Sequence, residues 1–262
     1  MTVTLNNAVN LKNLSFSWPS ANGPLFQNVN LAFPAGDTIC LIGPNGSGKT
    51  TLMELILGWR KYDSGAITLE GHPISLIPSR ERGQIMALVP QDERPAFSYS
   101  VLEYVLLGRA PYLPSLSPPG KHDRDLAFQV LEQVGISSLA HRPVPRLSGG
   151  ETRMVLIARA LVQQPRIMLL DEPANHLDPA NRERVMEILS KLKSSGITLI
   201  ISSHEPDIVT RLADFVVLLH QGRNPLMGKS NDMLVPDKLT ELYGVKVSII
   251  EAENRRIILW GK

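Results

Sequence analysis

The sequence predicts an α/β fold in which a parallel, helix-covered sheet is joined to an antiparallel β part and interrupted by an inserted α-helical lobe. Three observations carry this expectation. The front of the chain alternates apolar and polar residues from Val3 to Trp18 and again around Val29 to Phe33, the period of half-buried strands. A strand, a glycine-rich turn and a helix then follow within Thr38–Gly58. Further on, strand-like runs at Ile167–Leu170, Thr198–Ser202 and Phe215–Leu219 alternate with helical stretches at Ala180–Ser194 and Pro206–Leu212, the rhythm of a parallel sheet.

Taken in order, Gly65–Leu69 adds an edge strand that turns at Glu70-Gly71-His72. Thr38–Ile42 is a short apolar strand, and Thr50–Gly58 carries leucine and isoleucine at helical spacing. From Asp92 to Pro165 the pattern is mainly helical, with helices predicted at Val101–Gly108 and Asp123–Val134 around a proline- and serine-rich loop, Pro111–Gly120. Val245–Glu251 and Arg255–Trp260 flank the polar turn Ala252–Asn254 and read as a closing hairpin. The expected organisation is a single domain over 1–262, with a core built from 1–91 and 166–262 and a helical subdomain at 92–165.

Composition narrows the function classes. A chain of 262 residues with 43% apolar content can bury a sizeable core. Against 27 basic residues stand 25 acidic ones, and the resulting +2 gives no field for a polyanion, so nucleic acid is not an expected partner. The single cysteine, Cys40, can form neither an internal disulfide nor a metal cluster, and its neighbours Ile39, Leu41 and Ile42 mark it as a buried, inert thiol. No apolar run approaches the roughly 18 residues that span a bilayer. The amino end, MTVTLNNAVN, lacks the basic-then-apolar pattern of a secretory signal, and a cytoplasmic location is expected.

The chemistry begins at Gly43-Pro44-Asn45-Gly46-Ser47-Gly48-Lys49-Thr50, which satisfies the pattern Gly, four residues, Gly, Lys, Ser/Thr between a strand and a helix. At average glycine and lysine usage such a match arises by chance in about one chain of this length in a hundred. The glycines let successive backbone N–H groups turn toward phosphate oxygens, and the helix start adds its positive end. Lys49 is placed to reach the β- and γ-phosphates and Thr50 to ligate Mg²⁺, with Thr51 counted among the nucleotide-contacting residues. Ile167–Leu170 delivers Asp171 and Glu172 at a strand's carboxyl end, where parallel sheets bind ligands. Asp171 suits a Mg²⁺ held through water, and Glu172 suits orientation or deprotonation of an attacking water. Leu147-Ser148-Gly149-Gly150-Glu151 precedes a helical stretch, Thr152–Gln163, and offers Ser148 as N-cap and a second anion cradle.

In this company the chain resembles, from end to end, the ATP-binding subunits of ABC transporters, a branch of the P-loop NTPases. GPNGSGKT is similar to their Walker A, LSGGE to their signature sequence and IMLLDE to their Walker B. Gln91 matches the Q-loop glutamine, Asn175-His176-Leu177-Asp178 the D-loop and His204 the switch histidine. Trp18 falls where the family stacks an aromatic on adenine, here Trp in place of the usual Tyr. The reading of Trp18 as a core residue stays open. The resemblance implies ATP and Mg²⁺ as ligands, Lys49, Gln91, Glu172 and His204 as catalytic residues, and Thr50, Gln91 and Asp171 around the metal. It implies that Ser148, Gly149, Gly150 and Glu151 act on the ATP of a second copy, with the N–H groups of Ser148 and Gly150 at its γ-phosphate. It also implies an integral membrane permease pair, an indirect substrate-binding protein, and a peripheral place on the cytoplasmic membrane face. Thr152 and Met154 depart from the usual polar or basic residues of the signature helix surface, and Glu205 replaces a common Asp.

Val105–Leu113 and Leu242-Tyr243-Gly244-Val245 are similar to stretches of importer subunits for iron-siderophore, haem and vitamin B12 complexes. The resemblance therefore implies metal-chelate import, with a metal oxyanion such as molybdate as a further cargo. Two alternatives remain at this point: a soluble ABC ATPase that remodels an assembly, and the ATPase of an exporter. The chain has no coiled-coil insert of the DNA-repair kind, and exporters commonly fuse their membrane helices.

Overall fold

The computed structural model of the protein describes residues 7–19, 23–93, 95–115, 117–204, 206–252 and 255–261. In chain order come strands β1 (Asn7–Ser17), β2 (Pro24–Pro34) and β3 (Thr38–Ile42), helix α1 (Lys49–Ile56), and strands β4 (Ser64–Leu69) and β5 (His72–Pro73). Next are α2 (Ser79–Ile85), β6 (Met86–Val89), α3 (Val101–Leu106), α4 (Lys121–Val134), α5 (Gly149–Leu161) and β7 (Ile167–Asp171). The chain continues through α6 (Pro179–Ser194), β8 (Thr198–Ser202), α7 (Pro206–Leu212), β9 (Phe215–Leu218), β10 (Leu226–Lys229), α8 (Ser230–Met233) and α9 (Pro236–Tyr243). A hairpin of β11 (Val247–Ala252) and β12 (Arg255–Trp260) follows. The described residues form two compact units, one from 1–77 with 193–262 and one from 78–192.

In the first unit β3 lies between β8 and β9, parallel to both, and β10 pairs antiparallel with β9. Every residue of β3 and β8 is buried, as a parallel sheet covered on both faces requires, which is why TICLI and TLIIS read as continuous apolar runs. Burial also pushes the Cys40 thiol up to about 12, so it stays protonated and inert. The antiparallel part is a sheet of order β2-β1-β4-β5, whose β1 buries Val9, Leu11, Leu14 and Phe16. Its register shifts between Leu11 and Leu14, where Asn13 takes a φ of 50°, and again between Leu14 and Phe16, where Asn28 of β2 takes 52°. Asparagine tolerates this left-handed backbone better than a branched residue does. The predicted turn after β4 is formed by Glu70 and Gly71, both at positive φ.

The second unit pairs β6 with β7 in parallel, Met86 opposite Ile167 and Val89 opposite Leu170, and packs α3, α4 and α5 against one another. A buried ion pair joins Arg109 Nε to Asp123 Oδ1 at 2.8 Å, and the guanidinium also donates to the Val162 carbonyl at 3.0 Å. The Ser100 hydroxyl and Glu103 cap α3 reciprocally.

Four expectations are corrected. The helix predicted over Val101–Gly108 ends at Leu106, and Leu107–Tyr112 tightens into a 3₁₀ turn that takes in the start of the expected Pro111–Gly120 loop. Gly108 lies so close to α5 that a Cβ would come within 2.2 Å of the Arg159 carbonyl oxygen, which fixes the close approach at this turn. Elements α2 and β6 occur where the sequence pattern indicated none, because four residues of Met-Ala-Leu-Val are too short a run to show a period. Met154 is fully buried in place of lying on the signature helix surface. Residues 3–6 of the first predicted strand, Glu205, and Glu253 and Asn254 of the hairpin turn lie outside the described residues.

Candidate nucleotide site

In the first unit β3 runs into the loop Gly43–Gly48, and α1 begins at Lys49 with Gly48 as a left-handed N-cap at φ 99°. Gly46 is also at positive φ, 78°. At Gly43 the demand is for space: a Cβ there would sit 2.3 Å from the Leu219 carbonyl oxygen and 2.7 Å from Ser47 Oγ. The Lys49 ammonium folds back and donates to the Gly43 carbonyl at 2.8 Å and the Pro44 carbonyl at 3.2 Å. Ser47 Oγ, almost fully buried, has no hydrogen-bond partner among the described residues. A buried hydroxyl left unsatisfied beside a cramped glycine loop and an inward-turned ammonium fits a loop shaped for phosphate oxygens. Asn45 is tied from outside by Gln221 Nε2, 3.0 Å from its carbonyl, while Thr50 is exposed and Thr51 buried.

Trp18 belongs to the surface of this unit, at 37% exposure, and not to its core. Its ring meets Phe16 edge-to-face at 5.4 Å, and the Arg60 guanidinium lies 4.2 Å from its centroid, held in turn by an ion pair to Glu54. His204 follows β8 and is exposed.

The second unit carries the carboxylates and the signature helix. Asp171 ends β7 nearly buried. Glu172 stands next to it at φ 46°, a left-handed backbone for a non-glycine residue. Strain of this kind persists where the surroundings over-determine it. Two amides hold its Oε2: Gln91 Nε2 donates at 3.1 Å and Asn175 Nδ2 at 2.8 Å. Gln91 and Glu172, distant in sequence, are thus brought together.

At the start of α5, Ser148 accepts from the Glu151 N–H at 3.3 Å, and the Glu151 carboxylate accepts from the Ser148 N–H at 2.7 Å. That backbone N–H, more than any other group, holds the Glu151 carboxyl below its usual range. The Ser148 N–H expected at a phosphate is therefore engaged inside its own capping box, while Gly149 and Gly150 occupy the first helical turn, whose N–H groups have no intrahelical acceptor. A Cβ on Gly150 would strike the Asn181 side chain at 2.3 Å, whereas at Gly149 nothing among the described residues lies within 4 Å.

One residue escaped the sequence reading. Arg153, buried on α5, donates to the carbonyls of Pro90 at 2.8 Å and Gln91 at 2.7 Å. Burial lowers the pKa of its guanidinium, opposed by the negative charges of Asp92, Asp171 and Glu172. An Arg flanked by the apolar run Met154–Ala158 was the available signal.

The donor set also fits Mg²⁺ that arrives with a nucleotide. Among the described residues no group of three or more His, Cys, Asp or Glu could hold a metal alone. Mg²⁺ typically takes one or two carboxylates together with substrate phosphates, and Asp171 supplies such a carboxylate.

Comparison with known proteins shows the family. Residues 26–175 match the family model described as ABC transporter. The molybdate import ATP-binding protein MolC of Haemophilus influenzae is 34% identical over 240 residues, 91% of this chain and 89% of that protein. The hemin import ATP-binding protein HmuV of Gloeobacter violaceus is 31% identical over 233 residues, 86% of this chain and 84% of that protein. Among solved structures, an inward-facing conformation of a putative metal-chelate type ABC transporter superposes with a TM-score of 0.86 at 31% identity, covering 98% of this chain and 97% of its own. With the phosphate loop, the carboxylates and the signature helix in place, the chain belongs to the ABC transporter family as an ATP-binding subunit whose ATP hydrolysis is coupled to transport.

Proposed function

We propose that the chain works in pairs, closing ATP between the phosphate loop of one copy and the start of α5 in the other, and that the pair drives a metal-chelate or metal-oxyanion importer. The observation that carries the pairing is Gly149. It has helical backbone, and open space where its Cβ would be, so nothing among the described residues calls for glycine there. Close approach by a phosphate from another molecule is the remaining reason for a bare backbone. The helical subdomain 92–165 presents this edge.

In the closed pair Lys49 leaves the loop carbonyls for the β- and γ-phosphates, and Thr50, Gln91 and Asp171 would hold Mg²⁺. When bound, the metal neutralises charge on the phosphate oxygens. Glu172, fixed by Gln91 and Asn175, orients the attacking water and accepts its proton, and His204 contacts the γ-phosphate. Trp18 offers a face to adenine.

No helix among the described residues is long and apolar enough to cross a membrane. The subunit sits on the cytoplasmic membrane face beneath a permease pair served by a substrate-binding protein. A cleft of about 880 Å³ beside Gln91, lined also by Asp92, Val144, Leu147, Thr152 and Arg153, receives the permease. The names of the molybdate and hemin import relatives support the cargo class.

Gel filtration of Glu172→Gln with ATP tests the reading. The variant is expected to bind ATP, hydrolyse almost none and elute as a dimer, whereas a monomer at saturating ATP overturns the pairing. The cargo is tested with the chain and its permease in vesicles, where ATPase stimulation by binding protein loaded with hemin, a ferric chelate or molybdate is expected and silence toward all three rejects it.

A further inference from the structure

Two residues outside the phosphate loop, Glu54 and Arg60, are fitted to the ring of Trp18. Helix α1 begins at Lys49 and carries Glu54 further on, about 7.5 Å along its axis. Beyond the helix Gly58, at a left-handed φ of 69°, turns the chain. The Asp63 N–H then donates to the Ser15 carbonyl at 2.9 Å and Ser64 pairs with Ser15, so the segment after α1 is fastened beside the end of β1. Arg60 is thereby brought to Trp18. Its Nε is paired with Glu54 Oε2 and its Nη2 donates to Glu54 Oε1 at 3.3 Å, a two-pronged grip on a planar group. The guanidinium carbon lies 4.2 Å from the indole centroid.

A guanidinium laid on an indole takes that face of the ring, so a flat base can stack only on the other. Phe16 meets the same ring at 5.4 Å and 81°, which limits its tilt, and Trp18 keeps 37% of its surface open. We propose that Arg60 is a positioning residue for the nucleobase, held by Glu54 against one face of Trp18 so that the opposite face is presented to adenine. The inference rests on the reading of Trp18 as the adenine platform and adds what fixes that platform. One helix then serves both ends of the nucleotide: Lys49, its first residue, faces the phosphates, and Glu54 sets the ring through Arg60. Because the Glu54 carboxylate cancels the charge of Arg60, the pair adds no net charge for the triphosphate to feel. Its effect falls on the base.

The test titrates the full chain and its variants with ATP and, separately, with inorganic tripolyphosphate, which has the phosphates and no base. Arg60→Met keeps an unbranched apolar stem and removes the planar charge, and is expected to weaken ATP binding about 2- to 5-fold while tripolyphosphate binding stays unchanged. Trp18→Ala is expected to weaken ATP about 5- to 150-fold, again without effect on tripolyphosphate. In the double variant Arg60→Met should cost nothing further, since it acts only through the ring. Equal weakening toward both ligands, the mark of a disturbed fold or of a phosphate contact, overturns the proposal, as does an Arg60→Met effect that persists without Trp18. Trp18→Ala also separates the two layers. If it binds ATP as well as the parent chain, the adenine reading falls and this inference with it; if it loses affinity while Arg60→Met does not, only the role of Arg60 is wrong.

Discussion

At the scale of single residues, Gly149 and Gly150 show how identical letters answer to different physics. Gly150 is needed inside its own chain, because the Asn181 side chain occupies the place of a Cβ. Gly149 has no such neighbour, and its backbone is helical. Gly149→Ala is therefore expected to leave the isolated subunit intact or to stabilise it by about 0.4–1 kcal/mol, since alanine has less chain entropy to lose. Hydrolysis should fall on the order of 10²–10³, the effect of obstructing a charge-stabilising N–H cradle. Thermal melting and ATPase rates of the same preparation check both halves. A variant that melts lower and hydrolyses normally would place the glycine requirement inside the chain.

At the scale of elements, α5 does two jobs: its amino end offers the Gly-Gly edge, and one turn on Arg153 grips the Gln91 loop. Removing the guanidinium leaves two carbonyls that lose a charged donor, each such bond contributing about 1.5–3 kcal/mol. Arg153→Gln is expected to lower stability by roughly that amount and to slow turnover while KM for ATP stays nearly constant, because the phosphate loop lies elsewhere. A rise in KM without loss of kcat would separate Arg153 from the Gln91 loop. These long-range contacts mark the limit of what the sequence discloses. The loop 43–50, the strand ending at Asp171 and the capped start of α5 were legible because each is contiguous and its period or spacing states its geometry. Arg153 on Gln91 and Gln91 on Glu172 were not, since tertiary folding alone brings those side chains together. The same holds for β6, four residues made a strand by pairing with β7.

At the scale of the whole molecule, the carboxylates whose pKa values are depressed are concentrated in the unit 78–192. The Arg109 guanidinium holds Asp123 low, the Ser100 hydroxyl holds Glu103, and backbone N–H groups of Ser148 and Asn181 hold Glu151 and Asp178. Burial alone would raise Glu93, yet its bonds with Arg159 and Tyr104 bring it below the ordinary range. In the other unit Asp37 is raised, by burial first and then by Asp214. A depressed carboxyl contributes stability that is fully present above the ordinary carboxylate range and is lost as pH falls through its folded value. The raised Asp37 acts in the opposite sense, relieved of an unfavourable charge as acid protonates it. Acid should therefore loosen 78–192 before the unit built on β3. Hydrogen exchange at about pH 3 compared with neutral pH, corrected for intrinsic rates, is expected to show protection lost first in α3, α4 and α5 and retained longer in β3, β8 and β9. Arg109→Met should remove part of the difference by taking away the partner that keeps Asp123 ionised, and equal loss in both units at every pH would show that these carboxylates do not set the order of unfolding.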